Sequence, residues 1–420
     1  MRNELAALAA EVMGMTREPW EYLLLRATVR RGALWPNDRM NHRLTSGPSE
    51  KHVRCKHPQA LRALPRDCVL EMRIERDGTF EALLTNGIKQ FTGYLPPSYT
   101  VVVEPRPREL FEPYERVGVV GDGPLAHVEA ALGAQIPAEV HDLYRGGRTT
   151  LGRDELIPAD EILAVHRRLL GKGREKAGDP RRWHSFWQLA FNPPGTVRPV
   201  PFHPLWVPIS RTPGYYGERC VDLAPGPAGR VGQVLDDGVL RAGSVEEWCA
   251  APMPPGIRCE RLTSPTPARI AAVPRDVVVL EVDAAEELDL TALDLPSLGR
   301  LRVRAGRVRV GDLPIGDLEV HADEVELGAL DRLTTLKISG ARVALPPLPS
   351  LRVLHAAEAE VDVVPDGLDY LALNAGQWSR CTARPAAARL YGERSLARAL
   401  DWAGGLGAEL PREVVRGRAG

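Results

Sequence analysis

Between residues 280 and 370 the chain repeats itself. Apolar-x-apolar triplets begin at Leu280, Leu301, Leu318, Leu336 and Leu351, with a weaker sixth near Leu368, at steps of 21, 17, 18, 15 and 17 residues. A second triplet follows each of the first five: Leu288-x-Leu290, Val308-x-Val310, Val325-x-Leu327, Val343-x-Leu345 and Val361-x-Val363. A unit this short cannot bury an apolar face alone, so it must stack on its neighbours as a solenoid. The polar positions check the register. They run Glu281, Arg302, Glu319, Lys337, Arg352 in the first triplet and Asp289, Arg309, Glu326, Ala344, Asp362 in the second. Stacked as parallel strands, mostly alternating signs put opposite charges side by side, the favourable arrangement.

These repeats resemble short, degenerate leucine-rich repeats without that family's Asn ladder. Their lengths leave room for little helix and predict a flat β-solenoid over 276–378. Such a face is broad and lacks a deep pocket, which suits binding; it could equally serve to cap or stiffen the domain before it. The Pro-rich stretch 255–275 predicts an extended linker. In the C-terminal segment, 379–420, a short helix from Ser395 to Leu406 closes the solenoid and residues from Gly417 onward fray.

Upstream, short apolar runs bounded by Gly, Pro or Asp read as an antiparallel meander. They are Trp206-Val207-Pro208-Ile209, then a turn at Pro213-Gly214, Arg219 to Leu223, Val231 to Leu235, a turn at Asp236-Asp237-Gly238, and Val239 to Arg241. Ser244 with Glu247 forms a capping box that opens a helix containing Trp248. Before the meander, Leu125, Val128 and Leu132 line one helix ended by Gly133. Pro137 begins a second, with Val140, Leu143 and Tyr144 inward. Asp160 caps a third, with Ile162, Val165 and Leu169 buried and Gly171 at its end. Helices followed by a meander make an α+β domain over 118–254.

On Trp206-x-Pro-Ile, Val221-Asp222-Leu223, Gly232-Gln233-Val234 and Ser244 before Glu-Glu-Trp, this domain resembles the SUKH superfamily. That fold is shared by a yeast cell-wall-synthesis regulator and many bacterial immunity proteins. The resemblance covers about a third of the chain, the size of an ordinary domain. Arg145 stands where the family usually has Asn, and 171–201 is longer and more basic than the family pattern. The resemblance implies a protein that binds and neutralises a cognate toxin domain. It marks Trp206, Asp222, Gly232, Gln233, Ser244 and Trp248 as motif residues in structural roles: core aromatics, a helix cap, and an acid that accepts hydrogen bonds from a hairpin.

Residues 1–105 read as a small α+β module. Leu5, Leu8 and Val12 share a helix face, Trp20 to Val29 is a strand, and Arg76-Asp77-Gly78 turns a hairpin between Val69–Glu75 and Thr79–Leu84. Tyr99 to Val103 is a third strand. His52, Cys55, His57 and Cys68 invite a metal reading, but His-x2-Cys-x-His is not a standard zinc spacing, and surface histidines beside an ordinary thiol are expected instead. An enzyme site around His52, Cys55 and Asp77 has only that cluster behind it. Lys172, Arg174, Lys176, Arg181 and Arg182 near Trp183, His184 and Trp187 admit a patch for an acidic partner; a solvated loop beside core tryptophans is favoured.

The whole is therefore a multidomain α+β chain. A formal net charge of −1 gives no overall field for nucleic acid or an anionic membrane. No membrane span or signal peptide is read, and the six cysteines lack framework spacing, which points to a reducing cytoplasm. Arginine-rich, Ala/Gly/Pro-rich composition suggests a GC-rich bacterial coding sequence. Gly118 to Gly123 lacks the Lys-Ser/Thr of a phosphate loop. No nucleophile elbow or zinc-protease motif occurs, and the ten histidines show no clear Cys or Ser partner. The expectation is a non-catalytic, protein-binding immunity protein with no cofactor or metal and an open oligomeric state. The alternative is a scaffold that recruits host proteins through the solenoid.

Overall fold

A computed structural model describes residues 1–16, 19–29, 42–46, 51–52, 58–64, 68–91, 98–104, 122–151, 154–177, 191–193, 195–198, 200–212, 217–250 and 258–420. It is a mixed α/β molecule with antiparallel sheets and a C-terminal β-solenoid of about seven turns. The chain divides into two compact units. The first comprises 1–105, 355–360 and 364–420; the second comprises 106–354 and 361–363.

In the first unit, the helix Arg2–Met15 buries Leu5, Leu8, Ala9 and Val12 on a six-stranded antiparallel sheet. Alternation places Leu23, Leu25 and Ala27 on that face with Leu70, Met72, Ile74, Phe80 and Ala82. At the hairpin, Gly78 takes φ +84° and the Asp77 carboxylate accepts from Thr79 N at 2.9 Å and Thr79 Oγ1 at 2.7 Å. One expectation fails here. The end of the chain does not fray: Glu413–Arg418 is the edge strand, pairing antiparallel with Thr79–Thr85, and Ala419 N donates to Gly78 O. Val415 and Ala419 pack on the same core, a non-local gain that end position alone does not reveal. Ser98–Val102 does not join this sheet. It pairs with Ile88–Phe91 and with Ala387–Tyr391, covering the edge left by the parallel strands Tyr370–Asn374 and Ala387–Tyr391.

The second unit begins with helices Ala126–Leu132 and Ala138–Arg145, the first ended by Gly133 at φ +63°. The helix Ile162–Ala177 runs past Gly171 and Gly173, because an internal glycine costs about 1 kcal/mol and does not by itself stop a helix. The sheet order is Val239–Ala242, Gln233–Asp236, Glu218–Asp222, Trp206–Arg211, Asp154–Leu156, Thr150–Leu151, all antiparallel. The last two strands extend the expected meander. Val207, Ile209, Val221 and Val234 pack on Val128, Ile136, Val140 and Ile162. The alternate residues Trp206, Cys220 and Leu235 face Val197, Val200 and Phe202. Burial on both faces encloses the central strands of this sheet, while Thr150, Glu155 and Arg211 on its outer part are exposed.

The solenoid strands of this unit are parallel: Cys259–Thr263, Val279–Asp283, Arg300–Arg304, Asp317–His321 and Thr335–Val343. Leu280, Leu301, Leu318 and Leu336 stack in register and are fully buried, each stabilising by roughly 1.5–3 kcal/mol. A second ladder joins Glu287–Asp289, Arg307–Val310 and Glu324–Leu327. The expected charge rows form. Glu319 meets Arg302 at 3.3 Å and Lys337 at 2.8 Å; Arg309 meets Asp289 at 3.4 Å and Glu326 at 3.0 Å. The 255–275 linker is corrected. Its described part holds the first parallel strand, with Leu262 buried, and the helix Pro267–Ala271 capped by Thr266. Prolines at helix N1 and in turns punctuate this stretch; they do not extend it.

Candidate functional site

The meander's motif residues converge on one corner. Asp222 opposes Trp206 across the antiparallel pair and is fully buried. Its Oδ1 accepts from Ala224 N at 2.9 Å and its Oδ2 from Gln233 Nε2 at 2.8 Å. Gln233 Nε2 also donates to Thr196 O at 2.9 Å, and its Oε1 accepts from Arg230 N at 3.2 Å. Gly232, at φ +92°, donates its N–H to Asp222 O at 2.9 Å. A Cβ there would stand 3.2 Å from Pro137 Cγ, so the close approach also favours glycine. Burial pushes the Asp222 carboxyl up to about 6, outweighing the hydrogen bonds from Gln233 and Ala224 that pull it down.

This corner fixes the loop between Asp222 and Gln233 from both ends. The loop is held from outside as well: Gly226 N donates to Thr196 O, Ala228 N to Gly195 O, and Arg198 Nε to Ala224 O at 3.0, 2.9 and 3.0 Å. Pro227, Ala228, Arg230 and Val231 remain exposed on it, Val231 at 55%. The sequence marked the corner but missed the loop as a displayed surface. The Pro225-Gly226-Pro227 run was its signal.

The remaining motif residues pack or cap around this sheet. Trp206 stacks edge-on against Phe202 at 5.8 Å. Ser244 Oγ accepts from Glu247 N at 3.0 Å, and Glu247 Oε2 accepts from Gly243 N at 2.7 Å, one residue earlier than a standard capping box. Trp248 packs half-buried on the helical core. Asp236, buried, pairs with Arg219 and with Arg241 Nη2 at 2.9 Å.

A second constellation lies on the solenoid and was not foreseen. Glu319 and His321 are two apart on one strand, and Ser339 is the register partner of His321 on the next. His321 Nε2 lies 2.9 Å from Glu319 Oε1, and Ser339 Oγ is hydrogen-bonded to His321 Nδ1. Burial pushes the Glu319 carboxyl up, yet hydrogen bonds from Lys337 and His321 and the charges of Lys337 and Arg302 outweigh it and leave it at about 2. The triplet register already predicted Glu319 beside Lys337; two residues further along the same strands are His321 and Ser339.

In the first unit a cleft of about 970 Å³ opens on the outer sheet face, lined by Tyr22, Arg26, Arg73, Glu81 and Arg416 among others. The Arg73 guanidinium sits 4.0 Å over the Tyr22 ring.

Cys55, His57 and the side chain of His52 lie outside the described residues, as do the turn at Pro213-Gly214, Gly118 to Gly121 and the run from Arg181 to Trp187. Cys68 is buried, and Asp77 is spent on its hairpin. Among the described residues, no group of three or more His, Cys, Asp or Glu could hold a metal, and no helix is long and apolar enough to cross a membrane. No family model matches the chain, and no curated protein matches it.

Proposed function

We propose that this chain is a protein-binding protein of the immunity type, whose middle domain engages a cognate toxin domain by binding and not by chemistry. The observation that carries the reading is the displayed loop. The residues on which the resemblance to the SUKH superfamily rests, Asp222, Gly232 and Gln233, are the ones that fix it. A loop held in one shape before binding loses little entropy on association, which is how a small apolar anchor becomes an effective one. Val231 is that anchor, flanked by Arg230, a residue type enriched at interface hot spots.

The test is affinity capture of the tagged full-length protein from the producing cell, read by mass spectrometry. A single tight partner carrying a toxin domain is expected. Val231→Asp should weaken capture by about tenfold or more without changing the melting temperature, and removal of 276–378 should leave capture intact if the remainder folds. Capture indifferent to Val231→Asp and abolished by removing 276–378 would sink this reading. It would favour a scaffold that recruits partners through the solenoid, a reading motivated by the stacked charge rows of Glu281 to Lys337 and Asp289 to Glu326.

A further inference from the structure

The histidine on the solenoid face is placed to do more than fill a ladder. Glu319 is a carboxylate with its oxygens turned to Lys337, Arg302 and His321. A carboxylate only accepts hydrogen bonds, so it fixes the neutral imidazole as the tautomer with hydrogen on Nε2. The Nδ1 lone pair is then left facing Ser339 Oγ, which donates to it. Nucleophile, base and an acid that orients the base stand in one hydrogen-bonded chain, the arrangement that activates a serine. The register holds it: Glu319 aligns with Lys337, and His321 with Ser339, on parallel neighbours. His321 is one-quarter exposed at the sheet surface while Ser339 is buried at 8% exposure, so a substrate reaches the serine only along the exposed edge of the imidazole. Arg304 is the register partner of His321 on the opposite side and brings a cation to the same row.

We propose that Ser339, His321 and Glu319 form an acyl-transfer site that hydrolyses carboxylic esters presented at the flat solenoid face. Ser339 Oγ attacks the ester carbonyl carbon, and its proton passes to His321 Nδ1. The C–O bond to the alcohol breaks, and the departing oxygen takes that proton. Water then attacks the acyl-serine in the same way, releasing the acid and restoring Ser339. The sum is ester plus water giving acid plus alcohol. Glu319 touches no substrate and is a positioning residue. The substrate class is a small activated carboxylic ester that approaches along the exposed edge of His321. This site is independent of the displayed loop, and either assignment can fail alone.

The experiment treats the folded full-length protein with a fluorophosphonate probe and maps the adduct by mass spectrometry. The expected result is one adduct, on Ser339, absent in Ser339→Ala and slowed about a hundredfold in His321→Asn. Glu319→Asp should keep most of the labelling that Glu319→Gln loses, a rescue by the conservative carboxylate that a packing role alone would not produce. No adduct on Ser339 of the wild-type protein overturns the proposal. So does labelling that is unchanged in His321→Asn.

Discussion

Asp222 in the meander and Glu319 in the solenoid are both nearly buried carboxylates, yet they lean in opposite directions. Asp222 sits in an enclosed layer and meets neutral donors, an amide N–H and a glutamine side chain, so burial dominates and the carboxyl rises to about 6. Glu319 sits at the rim of a stacked row where each neighbouring turn supplies a cation, and it falls to about 2. Asp317, two residues earlier on the same strand, rises to about 6 because burial there outweighs the charges of Arg300 and Lys337. Neither burial nor nearby cations alone therefore set the charge; the hydrogen bonds that Lys337 and His321 donate to Glu319 are what Asp317 does not receive. The meander turns its buried polar groups inward to hold a loop, whereas the solenoid pairs its buried carboxylate Glu319 with half-exposed cations on the neighbouring turns.

Core deletions probe the contrast most strongly. Trp206→Ala should cost about 3–5 kcal/mol and unfold the meander with its helices, since Trp206 joins strand and loop packing. Leu318→Ala should cost about 2–5 kcal/mol, with hydrogen exchange accelerated chiefly in the strands Arg300–Arg304 and Thr335–Val343, because a solenoid turn leans only on its neighbours. Chemical denaturation with residue-resolved exchange separates the two.

The titrations come next. The folded value of Asp222 lies above the roughly 4 of an unfolded aspartate, so the folded state takes up the proton first. Its contribution is fully present below about pH 4 and is lost as the pH rises through 6, a change of about 2–3 kcal/mol. Glu319 runs the other way: its contribution is present above about pH 4 and is lost as the pH falls through 2. Stability measured against pH should flatten between 4 and 6 in Asp222→Asn, though Asp317 keeps a residual slope there. Asp222→Ala, which orphans Ala224 N–H, should cost about 1–3 kcal/mol at neutral pH. The smallest effect should be Arg309→Ala. It breaks two exposed pairs, to Asp289 and Glu326, and should leave the thermal unfolding midpoint almost unchanged.

Periodicity made the central turns from Leu280 to Leu336 legible, down to which charges neighbour which, because strand register follows from apolar spacing; the strand Cys259–Thr263 lay in the expected linker and Ala387–Tyr391 past the last repeat. The meander and its motif corner were legible because Asp-Gly turns and alternating apolar runs are local signals. Pairings that depend on distant chain segments were not. Glu413–Arg418 joining Thr79–Thr85, and Ser98–Val102 joining Ala387–Tyr391, link residues about three hundred positions apart. No local pattern states such a partner. The Ser339–His321 pair lay in between. Its residues sit one position past Val320 and Ile338 in stacked triplets, so the register aligns them, but a lone serine and a lone histidine carry no local motif.

The most direct test of the contrast is a titration of both carboxyls in the folded protein by carbon-detected NMR of labelled Asp and Glu side chains. The account predicts midpoints near 6 for Asp222 and near 2 for Glu319. Two midpoints both near the ordinary value of about 4 would contradict it, showing that neither the enclosed corner nor the stacked cations control the charge.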